Sequence, residues 1–219
     1  AMIKINKTLK MYMGGKFVRT ESGRSFSVDF EKQTYQLCQG SRKDVRDGVE
    51  SAAKGFSSWS KESSFLRSQI LYRLAEMIEG RRAEFCELLK LYDGRMDVET
   101  EMNQSIEALI YYAGFCDKVT QILGSVNQVS GPFRNMTDVE PVGIVGLVAE
   151  ASLCAFFVDL GAILCSGNAM VALLPDRMGI FIEILGEVLA TSDLPAGSVN
   201  ILSGFHDELV STLVSHRQV

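Results

Sequence analysis

The feature that most constrains the fold is an alternation between Pro141 and Gly204: buried strand, helix, strand, helix, strand. Pro141-Val-Gly-Ile-Val-Gly-Leu-Val148 is a short apolar run rich in β-branched residues and punctuated by glycine. Such a run predicts a strand buried on both faces of a parallel sheet. Leu153 to Cys165 is apolar nearly all round and stops at Gly167-Asn168, residues that tolerate the left-handed turn closing a helix. Ala169 to Leu174 is strand-like again, and Gly179 to Ala190 carries Ile180, Ile184 and Val188 at helical spacing. Val199-Asn-Ile-Leu202 completes the series. Strands alternating with helices of this length predict βαβ units, hence an α/β fold with a doubly wound sheet.

The same stretch carries a family resemblance. Pro141-Val-Gly-Ile-Val-Gly146, Ser166-Gly-Asn-Ala-Met-Val171 and Leu194-Pro-Ala-Gly-Ser-Val-Asn-Ile-Leu-Ser-Gly204 resemble successive signatures of the NAD(P)-dependent aldehyde dehydrogenases. Met11-Tyr-Met-Gly-Gly-Lys-Phe-Val18 is similar to the family's opening strand, and Tyr111-Tyr-Ala-Gly-Phe115 to part of its long helix. The motifs follow one another in family order along almost the whole chain. The resemblance implies a helical N-terminal layer plus a truncated doubly wound parallel sheet. Residues 1–140 would hold an N-terminal hairpin, the helical layer and a projecting β-hairpin. Residues 141–219 would form a partial Rossmann-like βαβαβα unit, both parts belonging to one domain.

A chain of 219 residues has ample length for a core of that kind. Its 47% apolar and 22% charged residues are ordinary for a soluble globular protein. A formal net charge of −5, without a Lys/Arg run longer than two, argues against nucleic-acid and membrane-surface binders. Met2 to Met11 has lysines but no apolar core, so it does not read as a signal peptide. Leu153 to Cys165 is too short for a bilayer and contains Asp159. Ala1 before Met2 reads as a cloning remnant. Cys38, Cys86, Cys116, Cys154 and Cys165 are odd in number and widely spaced, the pattern of a reduced, cytoplasmic protein.

The N-terminal part predicts strands over Leu9–Val18 and Ser25–Phe30, around a turn at Glu21-Ser-Gly-Arg24. Ser41 with Asp44 three residues on predicts a helix start of the capping-box kind. Val45, Val49, Ala52, Phe56 and Trp59 then repeat at helical spacing, with Trp59 as a core anchor. Helices are further predicted over Phe65–Ile78, Ala83–Tyr92 and Val98–Leu123. Val126 to Val139, broken by Gly131-Pro132, predicts a hairpin. In the resembled family that hairpin belongs to an oligomerisation sheet; the other reading is a plain connection.

The chemistry that such a family needs is harder to find. Oxidation of an aldehyde through a thioester requires a thiolate, an oxyanion donor and a carboxylate that activates water. By resemblance, the nucleophilic cysteine, the base glutamate and the Gly-rich phosphate turn would all follow Val219. Where the family has Pro-Trp-Asn after the first strand, this chain reads Val148-Ala-Glu-Ala-Ser-Leu-Cys154. Where it has Lys-Pro-Ser-Glu after the second, this chain reads Ala172-Leu-Leu-Pro-Asp176, placing Leu173 at the ribose-binding lysine. Glu150 lies where a strand leads into a helix and would oppose a pyrophosphate there. Val148, Ala149, Glu150, Leu173 and Gly204 are thus predicted as vestigial cofactor positions, with no catalytic residue and no metal ligand. These losses most resemble the non-catalytic second repeat of the double-length, family 16 type members.

Other constellations read as structure. Cys154 and Cys165 share an apolar helix, and no His or Lys in sequence would activate either thiol. Cys116 is spaced as a core residue. His206-Asp207-Glu208 places an acidic first turn on a helix rather than a metal cluster. Asp159 needs a polar partner, a helix edge or an interface. The sequence therefore predicts a non-catalytic module for assembly or interaction, with no cofactor. It keeps two alternatives: the N-terminal portion of an active NAD(P)-dependent aldehyde dehydrogenase, and a dinucleotide-binding module without catalysis. A sheet of three parallel strands leaves an unpaired edge, so a second copy or another partner protein is expected to cover it. What borders Val199–Leu202 decides how the sheet is completed.

Overall fold

The computed structural model describes residues 7–31 and 33–219. The readings of Ala1 and of the start of the Met2–Met11 stretch fall outside these residues. The strands are β1 Thr8–Leu9, β2 Met11–Met13, β3 Lys16–Val18, β4 Ser25–Phe30, β5 Gln33–Cys38, β6 Ser125–Asn127, β7 Asn135–Thr137, β8 Ile144–Val148, β9 Ala169–Leu173 and β10 Val199–Leu202. The α-helices are α1 Arg42–Trp59, α2 Ser64–Gly80, α3 Arg82–Tyr92, α4 Val98–Phe115, α5 Val119–Leu123, α6 Leu153–Cys165, α7 Ile182–Ala190 and α8 His206–Val214. No helix among the described residues is long and apolar enough to cross a membrane.

The central sheet has the order β3-β2-β10-β9-β8. β8, β9 and β10 are parallel, in the register Val145↔Met170 and Met170↔Val199. All of β9 and β10 is buried, as a strand covered on both faces must be. The sheet is mixed rather than purely parallel. The N-terminal segment predicted as one strand folds back at Gly14-Gly15, both at positive φ (60° and 75°), and the resulting β2–β3 hairpin pairs antiparallel with β10 through Ile201↔Tyr12. This is the answer to what borders Val199–Leu202. The open edge beside the parallel strands is β8, on the other side.

β5 carries no clear sequence signal. Gln33-Thr-Tyr-Gln lacks the apolar alternation that marks a half-buried strand, and its place is set by antiparallel pairing with β4 and parallel pairing with β1. The β6–β7 hairpin forms within the predicted Val126–Val139 segment, with Val126 and Met136 exposed.

The helical layer follows the predicted stripes. Ser41 and Asp44 make a full capping box, and Val45, Val49, Ala52 and Trp59 are completely buried. Trp59 also donates from Nε1 to the Leu164 carbonyl at 3.0 Å, tying α1 to the end of α6. In α2, Ile70, Leu74 and Ile78 are buried, while Leu66 at the exposed first turn is not. The helix predicted over Val98–Leu123 breaks at Cys116–Lys118, where Lys118 N–H bonds the Phe115 carbonyl as a turn. Likewise the helix predicted from Gly179 begins as a tighter 3-10 segment, Asp176–Phe181, directly after Pro175. α6 and β10 have the predicted bounds.

Candidate functional site

In a doubly wound sheet the loops at the carboxyl ends of the parallel strands face one cleft, and ligands bind there. In this chain that edge is formed by Ala149–Ser152 after β8, Leu174–Pro175 after β9 and Ser203–Phe205 after β10. A cleft of about 410 Å³ opens there, lined by Tyr92, Ala151, Pro175, Asp176, Arg177, Phe205, His206 and Asp207.

None of the five positions singled out by sequence lines this cleft. Val148 is exposed at the end of the edge strand. Ala149 is buried, and its N–H donates to the Leu173 carbonyl at 3.0 Å. Glu150 is exposed beside the loop. Leu173 is buried within β9. Matching on the proline moves the lysine position from Leu173 to Leu174, immediately before Pro175 and also buried. Gly204 is a packing glycine: at φ 150° a Cβ would stand 2.8 Å from Leu209 and 3.0 Å from the Gly40 nitrogen. The cleft is lined by the residues one to three places further along each loop.

The polar groups of the cleft come from β9 and β10. Asp176 opens the 3-10 turn after β9, and Asp207 lies in the first turn of α8 after β10, both exposed. His206 Nε2 lies 3.1 Å from the Leu174 carbonyl, so the Nε2–H tautomer donates there and leaves Nδ1 as an acceptor. Arg177 is held aside: its guanidinium sits 4.3 Å over the Phe30 ring and donates to the carbonyls of Asp29 (3.2 Å) and Tyr92 (3.1 Å). Tyr92 Oη in turn donates to the Ala151 carbonyl at 3.2 Å, and burial holds its phenol above the usual range. His206, Asp207 and Glu208 do not converge, and among the described residues no three His, Cys, Asp or Glu side chains are placed to hold a metal ion.

The N-terminus of α6, the usual anion position after a first parallel strand, already has a carboxylate. Glu101 of α4 accepts from Cys154 N–H at 2.9 Å and from Ser152 Oγ at 3.1 Å, while Ser152 Oγ accepts from Ala155 N–H. Sequence alone does not mark Glu101, because an acid in the first turn of α4 is adequately explained by the helix dipole. The nearby thiol of Cys154 is half-buried and held above its ordinary range by burial and by Glu101, the opposite of what a nucleophile needs. Asp159, on the same helix, is likewise raised by burial and then by Glu150. The residues present therefore suit a sugar, whose vicinal hydroxyls donate to carboxylates. They do not suit a phosphate at α6.

Comparison with known proteins fits this geometry. The chain is 32% identical to DhaS of Bacillus subtilis (strain 168), covering 97% of this chain and 44% of that protein. It is 26% identical to aldehyde dehydrogenase, cytosolic 1 of Elephantulus edwardii, covering 99% and 45% respectively. The chain thus spans somewhat under half the length of these relatives. Among solved structures, the NAD+ complex of aldehyde dehydrogenase from Bacillus cereus superposes with a TM-score of 0.89 at 26% identity, over 97% of this chain and 45% of that one. This overturns the expectation of no cofactor, since a close structural counterpart of these strands belongs to a protein solved with NAD+. The expectation failed because it judged cofactor binding from two local motifs alone. Residues 22–219 match the Aldehyde dehydrogenase family, and the order of motifs, the mixed sheet and the cleft at its carboxyl edge agree with that match: the chain belongs to the aldehyde dehydrogenase family.

Proposed function

We propose that this chain forms the helical layer and the first half of the nucleotide-binding sheet of an NAD-linked aldehyde dehydrogenase-family protein, and that it supplies no reacting group itself. The observation that carries the reading is the pair Asp176 and Asp207, which follow β9 and β10 and line one cleft with His206 and Pro175. A carboxylate at the end of the second parallel strand accepts from the 2′-hydroxyl of an NAD ribose. The same charge repels the 2′-phosphate of NADP by about 1 kcal/mol at 4 Å in water and more as water is excluded. NAD is therefore favoured over NADP by roughly fivefold or more.

When bound, NAD would supply the hydride acceptor; residues of this chain hold its sugar and shape the cleft. His206 Nδ1 offers a further acceptor to a ribose hydroxyl, with the ring fixed by its Nε2–H bond to Leu174. Glu101 closes the α6 terminus to phosphate, so the pyrophosphate would lie against backbone supplied from elsewhere. The thiolate, oxyanion donor and base of an aldehyde oxidation would likewise come from outside residues 1–219. Taken alone, these residues act as a binding and assembly scaffold. The open edge of β8 would be covered by further strand, and the exposed β6–β7 hairpin offers a second contact surface.

Calorimetric titration of the chain with NAD and with NADP tests the reading, together with Asp176→Asn. NAD should bind the more tightly, and D176N should narrow the difference. NADH should not accumulate when NAD and an aldehyde are added to the chain alone. Preference for NADP, an unchanged ratio in D176N, or aldehyde turnover by the chain alone would each refute it.

A further inference from the structure

A second cleft lies at the opposite end of α8, where that helix packs against α1. Its volume is about 760 Å³, within the range of small-molecule sites. Arg42 and Arg46 line it from the start of α1, Ser211 and Thr212 from α8, and His216 and Arg217 from the turn that follows. No carboxylate lines it. In a chain of formal net charge −5, a cleft with three guanidiniums and no acid runs against the overall balance.

Helix α1 sorts its charges between two faces. Asp44, Asp47 and Glu50 line a different groove, together with Lys16, Arg19 and Lys54. Arg42 and Arg46, one turn apart, line this one. Like charges at that spacing repel, and Arg42, the first residue of α1, stands at the positive end of the helix dipole. Neither placement stabilises the empty protein, and an anion in the cleft relieves both. Other exposed arginines have found acids: Arg73 meets Asp193, Arg81 meets Glu84 and Glu187, and Arg82 meets Glu79 and Glu99. Among the described residues Arg42, Arg46 and Arg217 form no salt bridge. His216 adds a neutral donor, since its Nδ1 accepts from Gln218 N–H at 3.3 Å and the ring proton therefore sits on Nε2.

We infer that this cleft binds a small anion carrying a diphosphate group. The three guanidiniums keep their charge at every ordinary pH, and each presents a planar fork of donors. One carboxylate fills one fork. A diphosphate presents terminal oxygens on two phosphorus atoms, so it meets forks from α1 and from the turn after α8 at once. A single sulfate is too small to bridge a cleft of this volume. The site is separate from the cleft at the carboxyl edge of the sheet: α8 is nine residues long, about 13 Å, and carries one cleft at each end. It stands whether or not a dinucleotide binds at that other end.

Calorimetric titration of the full chain with inorganic pyrophosphate tests the inference, beside sulfate and citrate at matched ionic strength. One pyrophosphate should bind per chain with a dissociation constant below about 1 mM. Sulfate and citrate should bind at least roughly tenfold more weakly. Arg46→Gln and Arg217→Gln, both at exposed positions, should each weaken pyrophosphate about tenfold with Tm unchanged. Arg73→Gln, whose guanidinium is paired with Asp193, should leave the affinity as it is. ADP separates the two sources of a diphosphate: ADP binding that R217Q weakens assigns a nucleoside diphosphate, and its absence assigns a diphosphate without a base. No saturable heat with pyrophosphate up to about 10 mM would overturn the inference. Sulfate binding as tightly as pyrophosphate, or an equal loss in R73Q, would do the same by reducing the cleft to unspecific charge. A changed affinity for pyrophosphate in D176N would also overturn it, by placing the anion in the other cleft.

Discussion

Replacing Gly55 by alanine sets two effects of opposite sign against each other. Gly55 lies in the interior of α1, where alanine is favoured over glycine by about 1 kcal/mol. The glycine is also the point where α1 presses on the turn before β10. A Cβ there would fall against the carbonyl carbon of Gly197, the nitrogen of Ser198 and the Gly197 carbonyl oxygen, the last 2.6 Å away. All three are backbone atoms, so no side-chain rotation relieves the overlap. Restoring an ordinary contact of about 3.5 Å requires α1 to lift by roughly 1 Å. Val45, Val49 and Ala52 on the same helix are fully buried and would lift with it. Overpacking of this kind costs about 1–3 kcal/mol, and more where backbone is displaced. A clash with backbone puts the cost at the upper end of that range, so packing outweighs propensity for a net loss of about 2 kcal/mol.

For a chain of this size each kcal/mol moves the midpoint by about 3 °C, so Gly55→Ala should lower Tm by roughly 6 °C. Gly80→Ala is the control. Gly80 closes α2 and is exposed, and a Cβ there would meet nothing within 4 Å. At that position only the propensity gain operates, about 0.5 kcal/mol near a helix end, and Tm should hold or rise slightly. Both variants are read by circular dichroism melts and urea titration. A G55A chain as stable as the wild type would show that α1 does not bear on the Gly197–Ser198 turn as described.

Two further outcomes follow from the charges around α6. Glu101→Ala removes a carboxylate bonded to two donors at the α6 N-terminus and should cost about 2 kcal/mol, while Glu101→Gln keeps an acceptor and should cost about half that, both measured in urea; an unchanged midpoint in E101A would mean that the terminus is satisfied without it. Asp159 has its pKa raised in the folded chain by burial and by Glu150, so its ionised form is less favourable in the folded than in the unfolded state. The penalty is present at neutral pH and disappears as pH falls through the folded pKa and then below the unfolded one, near 4. Asp159→Asn should accordingly raise stability at pH 7 and lose that advantage in acid; a gain that persists undiminished at pH 3 would contradict the assignment.

What was legible in the sequence is what burial writes locally. β9, β10 and α6 are enclosed, so their apolar runs mark them from end to end. Ser41 with Asp44, and Ser166-Gly167-Asn168, mark helix ends because the residues that satisfy those ends are near one another in sequence: Asn168 Nδ2 donates to Ser166 Oγ at 2.9 Å. What was not legible depends on partners far along the chain. β5 is polar and is placed by pairing, β2 reaches β10 across nearly the whole sequence, and Glu101 meets Cys154 fifty-three residues away. Asn200 belongs to the same class. Inside β10 it accepts from Gly14 N–H (3.0 Å) and donates to the Met170 (3.1 Å) and Gly197 (2.7 Å) carbonyls, joining hairpin, sheet and turn.

The cleft residues escape a sequence reading for a different reason. Asp176 and Asp207 each begin a helical segment, where an acid is expected for the dipole alone, so nothing in their local pattern sets them apart. Their meaning comes from topology: both stand at the carboxyl ends of adjacent parallel strands. An acid directly after the second strand of a βαβ unit is the available signal, and the lysine expected before Pro175 masks the carboxylate after it. The loss of a cation and the presence of two carboxylates change the same quantity in the same direction, since both lower the affinity of the cleft for a 2′-phosphate while leaving ribose hydroxyls a partner. On the proposed function, a missing lysine at this position reflects selection between two dinucleotides rather than loss of dinucleotide binding, and the NAD-to-NADP ratio in the wild type and in D176N distinguishes the two.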